Sequence, residues 1–168
     1  IIFNGDSAAL SDGLLGDDVV KSTRTRKRQD RGLSAITWCI NANTSGFELD
    51  HHNVFFATDY EREFTTIFKS RSICNEPTVY VCAQDRVNGK ISTEGKERLL
   101  LLINAPADGD HGAWTRSKLD QQRKNALDVL SRGGLNLAFS EKDCVTTCPD
   151  NWHQRFPGSG GSLYGAAS

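Results

Sequence analysis

The chain of 168 residues and 18.5 kDa has the size of one domain able to bury a core of its own. Apolar residues make up 38%, charged residues 24%, and the net charge is -1, which excludes a general polyanion binder and a disordered acidic tail. The longest apolar run, Leu99 to Ile103, is strand-sized and far below the roughly 18 residues of a spanning helix, so membrane contact is expected to be peripheral.

In chain order, "IIFN" predicts a short buried strand, and "GDSAALSDGLLG" a short helix capped by Asp6 or Ser7 and stopped by glycines. Residues 21–31, "KSTRTRKRQDR", carry six basic residues, one acid and no apolar residue. That composition predicts a solvated connector, able to lie near anionic lipid headgroups; with no interleaved aromatics, it is not read as a nucleic-acid surface. The runs "SAITWCINA", "HNVFFA", "TVYVCAQ" and "RLLLLINA" are β-branched and aromatic, and predict a sheet of about four or five strands, mostly antiparallel or mixed. Between the second and third, "TDYEREFTTIFKS" spaces Tyr60, Phe64, Ile67 and Phe68 for one face of a helix capped by Thr58 or Asp59. "WTRSKLDQQRKNALDVLSRGG" predicts a second helix. It would face the core with Leu119, Ala126, Leu127 and Leu130, pair Asp120 with Lys124 and Asp128 with Arg132, and end at Gly133 and Gly134. "DCVTTCP" predicts a last strand. The class is α+β, a sheet backed by helices.

The five cysteines, Cys39, Cys74, Cys82, Cys144 and Cys148, are odd in number and irregularly spaced, which points to a reducing cytoplasm. Cys144, Cys148 and His153 have metal-ligand residue types but no fourth partner, and are read as structural. His51 and His52 are adjacent; in an extended strand they face opposite ways and cannot chelate together, so no metal site is expected. Asp108, Asp110 and His111 in "NAPADGDHGAW" read first as a turn, with general acid–base chemistry the alternative. "PGSGGSLYG", residues 157–165, looks like a phosphate cradle but lacks both the G-x-G-x-x-G spacing and a Gly-Lys-Ser/Thr ending. Its glycines are read as a turn. The absence of methionine and the opening "IIFNGD" lead to the expectation that the chain is an internal piece of a longer protein.

In order, "IIFNGDSAAL", "LSAITW", "HHNVFFATDYEREFTTIF", "PTVYVCAQDR", "ERLLLLINAPADGD" and "FPGSGGSLYGAAS" resemble the bacterial carotenoid desaturases, the phytoene desaturase-like FAD flavoproteins. Within these the chain looks most like the 1-hydroxycarotenoid 3,4-desaturases. The resemblance lapses only at the basic run and around Asn136 to Cys148. It implies a substrate domain inserted into a Rossmann-type FAD domain that is mostly missing here. Residues 1–20 would end an FAD-domain segment, 21–32 form a basic linker, 33–156 bind substrate, and 157–168 return to the FAD domain. Also implied are FAD contacts at Asn4, Gly5, Asp6, Gly160 and Gly161, the glycines allowing close backbone packing beside flavin or polyene. Trp38, Phe55, Phe56, Tyr80 and Tyr164 would line a polyene groove, core packing being the alternative role for each.

The reaction implied removes two hydrogens from adjacent carbons of a carotenoid such as a 1-hydroxycarotenoid, hydride passing to flavin, with this piece inactive alone. Phytoene as substrate and a non-catalytic carotenoid- or lipid-binding module are the alternatives. The implied partners are the carotenoid, peripheral membrane lipid and the missing FAD-binding segments of the same polypeptide, with no nucleic acid, at a cytoplasmic membrane surface.

Overall fold

The computed structural model describes residues 2–24, 27–87, 90–91, 95–112 and 114–164. Thr25 and Arg26 of the basic run, and residues 165–168 of the expected return segment, lie outside the described residues.

The spine is β1 (Leu33–Gly46), longer than the predicted run. Along its first part it pairs antiparallel with β6 (Glu97–Pro106), from Leu33 opposite Pro106 to Ala42 opposite Glu97. Next come β3 (Val79–Ala83) against β6, and β2 (His52–Phe55) at the edge. On the edge of β1 away from β6, β8 (Cys144–Thr147) pairs with Thr37 to Ile40. Beyond the β6 ladder, β7 (Leu135–Ala138) pairs with Asn43 to Gly46. The sheet therefore has six strands, all antiparallel, with β4 (Arg86–Val87) and β5 (Lys90–Ile91) forming a separate ribbon.

Strand alternation sorts the side chains. Ile36, Trp38 and Ile40 share a face with Leu99, Leu101 and Ile103 of β6 and with Val79 and Val81 of β3, all buried. Onto that face packs α4 (Arg116–Arg132), through Ala126, Val129 and Leu130, while α3 (Tyr60–Ser70) lies against β6 and buries Ile67 completely. α3 begins as its sequence predicts, Asp59 accepting from the Arg62 N–H; at the start of α4 Thr115 accepts from that of Lys118, a cap not foreseen from the sequence. The predicted α4 ion pairs rearrange, Asp120 binding Arg116 and Arg123 while Arg132 reaches Glu76. Val129 replaces Leu127 among the fully buried positions, Leu127 being only partly buried.

The N-terminal segment departs from expectation. Residues 2–4 form no strand, because no strand of the described residues offers them a ladder. Asp6 caps α1 (Ser7–Ser11) as predicted, accepting from the Ala8 N–H, and the short α2 (Asp17–Val20) follows. The basic run is not simply solvated. Arg28–Asp30 form a 3-10 turn, and Arg28 and Arg31 fold onto the loop after β6. A last helix, α5 (Pro149–Arg155), went unforeseen; its Trp152 indole donates to the Ala35 carbonyl of β1 at 3.0 Å.

Candidate functional site

The second face of the sheet carries no helix over most of its width. Its central row runs Val54, Tyr80, Leu102, Thr37 and Thr147 across five strands, and the next row His52, Cys82, Leu100, Cys39 and Val145. Leu100, Leu102, Tyr80 and Cys82 are half-buried, and Val54 and Val145 exposed. Four interstrand steps make this stripe about 19 Å long. It is an elongated wall, apolar along Val54, Leu100, Leu102 and Val145, with Thr37 and Thr147 toward its β8 end and polar groups at its β2 end, where the Tyr80 hydroxyl lies 2.7 Å from Nδ1 of His52. Burial, with a contribution from neighbouring Cys82, pushes the Tyr80 phenol above its ordinary value.

Alternation divides the residues expected to line a polyene groove. Tyr80 lies on the open face, whereas Trp38 and Phe55 lie in the helix-covered core. Phe56, just past β2, is exposed and meets Tyr60 edge-on at the start of α3. Tyr164 is exposed at the far end of the C-terminal segment. The structure therefore does not gather the five into one lining.

The two ends of the chain do converge. Asp6, Arg31, Gly158 and Ser162 border one cavity of about 20 Å³, room for a water-sized occupant. Around it the C-terminal glycines are sealed by this chain's own atoms. The Gly160 carbonyl accepts from the Gly109 N–H at 2.8 Å, and Ser34 donates to the Gly161 carbonyl at 2.6 Å. A Cβ on Gly160 would stand 2.5 Å from the Ala107 carbonyl oxygen, and one on Gly161 2.4 Å from that of Pro149. Close backbone approach is what these glycines permit, and the neighbours are protein. Asn4 and Gly5 are exposed beside the junction, near an apolar cleft lined by Phe3, Leu14, Leu15 and Phe156. An isoalloxazine or pyrophosphate does not fit the junction that these residues form by themselves.

Asp108 and Asp110 belong to this junction as structural anions. Asp108 is bound by Arg28 at 3.0 Å and Arg71 at 2.5 Å, and Asp110 is gripped by both terminal nitrogens of Arg31. Burial pushes the Asp108 carboxyl up, but the two arginines bring it below its ordinary value; Arg31 does the same for Asp110 against its burial. Carboxylates so held favour the turn reading over proton transfer. His111 adds only a 3.9 Å contact to Asp110. A second ionic cluster ties the β4 ribbon to the sheet: Arg86 grips Glu97 through two bonds of 2.8 and 2.9 Å and donates to the Leu49 carbonyl. Thr44 donates to the same carboxylate.

Cys144, Cys148 and His153 do not converge, consistent with structural thiols; the Cys148 thiol lies 3.2 Å from the Asn151 side-chain oxygen in the first turn of α5. The histidine pair overturns its expectation. His51 sits on a bend before β2, outside the strand's alternation, so its ring comes within 4.4 Å of the His52 ring and both approach Cys82.

No protein-family model matches the chain. Among curated proteins it is 45% identical, over its whole length, to the hydroxyneurosporene desaturase of Rubrivivax gelatinosus, covering 32% of that protein. It is 38% identical over 99% of its length to the hydroxyneurosporene desaturase of Rhodobacter capsulatus, covering 33% of it. The chain is homologous to the carotenoid desaturases. The 1-hydroxycarotenoid 3,4-desaturase of a Flavobacterium matches 89% of this chain at 30% identity. The segment spans about a third of the length of the relatives it matches. Among the described residues no helix is long and apolar enough to cross a membrane.

Proposed function

We propose that this chain is the polyene-binding portion of a flavin-dependent carotenoid desaturase, acting on an acyclic substrate of the 1-hydroxycarotenoid kind. The observation that carries the reading is the uncovered apolar face of the sheet, a stripe of Val54, Tyr80, Leu102 and Leu100 in a segment homologous to carotenoid desaturases. An extended hydrocarbon laid along that stripe buries apolar surface on both partners, worth about 25 cal/mol per Å². The helix-backed core holds the wall rigid, and water is excluded from the stripe where the substrate covers it. FAD supplies the hydride acceptor when bound, in a site to which the rest of the polypeptide contributes the room lacking here. The apolar cleft of Phe3, Leu14, Leu15 and Phe156 is where that remaining polypeptide docks.

Substrate reaches the stripe from a lipid surface. The ladder of Phe56, Tyr60, Phe64 and Phe68, with consecutive ring centroids 5.7, 4.9 and 6.4 Å apart, runs along one side of α3, a helix that also carries Arg62 and Lys69. This combination suits peripheral contact with an anionic membrane.

The reading is tested in the full-length protein carrying this chain, with carotenoid supplied in vesicles. Leu102→Ala shortens the wall and is expected to lower kcat/KM by about 10–200-fold, the effect of missing methylenes in an apolar substrate pocket. Val87→Ala, at an exposed position on the β4 ribbon, leaves it unchanged. Equal activity of the Leu102 variant and the parent would remove the open face from substrate binding.

A further inference from the structure

We propose that His51, His52 and Cys82 form a binding site for a borderline-soft divalent cation of the zinc class at the β2 edge of the open face. One ligand atom from each residue lies within 4.8 Å of the others, the only such group among the described residues. Cys82 and His52 are register partners on neighbouring strands and share the open face; His51 joins them from the bend. Imidazole and thiolate are the donors that zinc takes in protein sites.

Hydrogen bonding has already prepared one ligand. Nδ1 of His51 lies 2.9 Å from the Arg86 carbonyl oxygen, which can only accept, so Nδ1 carries the hydrogen and the neutral ring presents its lone pair at Nε2. That Nε2 lies 3.8 Å from the Cys82 sulfur. Zn–S and Zn–N bonds of about 2.3 and 2.0–2.1 Å, opened to the tetrahedral angle, require roughly 3.5 Å between these atoms. A side-chain shift of a few tenths of an ångström closes the difference. A ring N–H held by a backbone carbonyl is the outer-shell arrangement that orients metal-bound histidines. The Arg86 carbonyl is itself fixed, since the Arg86 side chain is anchored on Glu97 and Leu49. On the other side, Nδ1 of His52 is held by the Tyr80 hydroxyl. The three ligands leave a fourth position for water, facing the open side of the sheet. A bound ion would clamp the edge strand β2 to β3, its only partner among the described residues.

The test titrates the purified chain with Co²⁺, whose bond to a thiolate gives a charge-transfer absorption band, and then with Zn²⁺ in competition. One ion per chain is expected, with the thiolate band present and displaced by Zn²⁺. Cys82→Ser abolishes the band, and His51→Ala and His52→Ala each weaken binding by at least the roughly 10–100-fold that loss of an outer partner costs. Cys39→Ser, on the same face but outside the cluster, leaves band and affinity unchanged. Circular dichroism of each variant without metal confirms that the fold is intact. A band that survives Cys82→Ser, affinity indifferent to both histidine variants, or no ion bound overturns the site. None of these results bears on polyene binding, which is read separately through Leu102.

Discussion

Arg86→Ala separates a buried charge from its partner and so measures how the β4 ribbon is held. The Glu97 side chain is 2% exposed and that of Arg86 9%, and the guanidinium also serves the Leu49 carbonyl and the Thr44 hydroxyl. Breaking a buried pair from one side costs about 3–5 kcal/mol, because the remaining carboxylate stays buried with, among the described residues, only Thr44 to satisfy it. Against a total stability of about 5–15 kcal/mol, this is a large fraction. At about 2–4 °C per kcal/mol for a chain of this size, Tm falls by roughly 6–20 °C. Urea and thermal unfolding at neutral pH, followed by circular dichroism, measure the loss.

The double variant Arg86→Met/Glu97→Leu removes both charges at similar volume and is expected to recover about 2 kcal/mol or more of it. The pH dependence has a defined sign. Burial pushes the Glu97 carboxyl up, yet its bonds from Arg86 and Thr44 hold it below the ordinary 4.5, so the folded state binds the proton less readily than the unfolded chain. Its contribution is complete above the unfolded value and is lost as pH falls through the folded one. In Arg86→Ala burial acts without the arginine, so the variant's Glu97 takes up its proton above the ordinary value, and the stability gap to the parent starts to narrow above pH 4.5 and goes on narrowing as pH falls through the parent's depressed value. A loss below about 1 kcal/mol for Arg86→Ala, or a double variant losing the sum of both single variants, would refute the reasoning.

Gly161 has φ +81° and no room for a Cβ beside the Pro149 carbonyl. Gly161→Ala is therefore expected to cost at least about 1–3 kcal/mol by chemical denaturation, whereas Gly112→Ala, with φ +59° and open space around it, costs only the backbone strain. If the aromatic ladder of α3 meets lipid, Phe68→Asp lowers co-sedimentation of the full-length protein with anionic vesicles several-fold without lowering Tm; unchanged sedimentation would assign the ladder another role.

The order of strands and helices was largely legible because it is written in local periodicity. β-Branched, aromatic and aliphatic runs marked β1, β2, β3 and β6, and the helical spacing of α3 and α4, with the Asp59 cap of the first and the closing glycines of the second, placed both within a few residues. The family was also carried by short motifs in order along the chain, which the identity to hydroxyneurosporene desaturases matches. What depended on distant pairing was not legible. "LNLA" became β7 because the far end of the long β1 left it an open edge, and "IIFN" stayed irregular because nothing offered it one. The basic run looked solvated because Asp108 and Asp110, its partners, lie about eighty positions away in the chain. Trp38 and Tyr80 were equally plausible as lining residues; only register and helix placement put one in the core and the other on the open face. The histidine pair was read as facing opposite ways for a related reason. Alternation holds inside a strand, and β2 begins one residue after His51, a boundary set by where the β3 ladder runs out and not by the residues themselves.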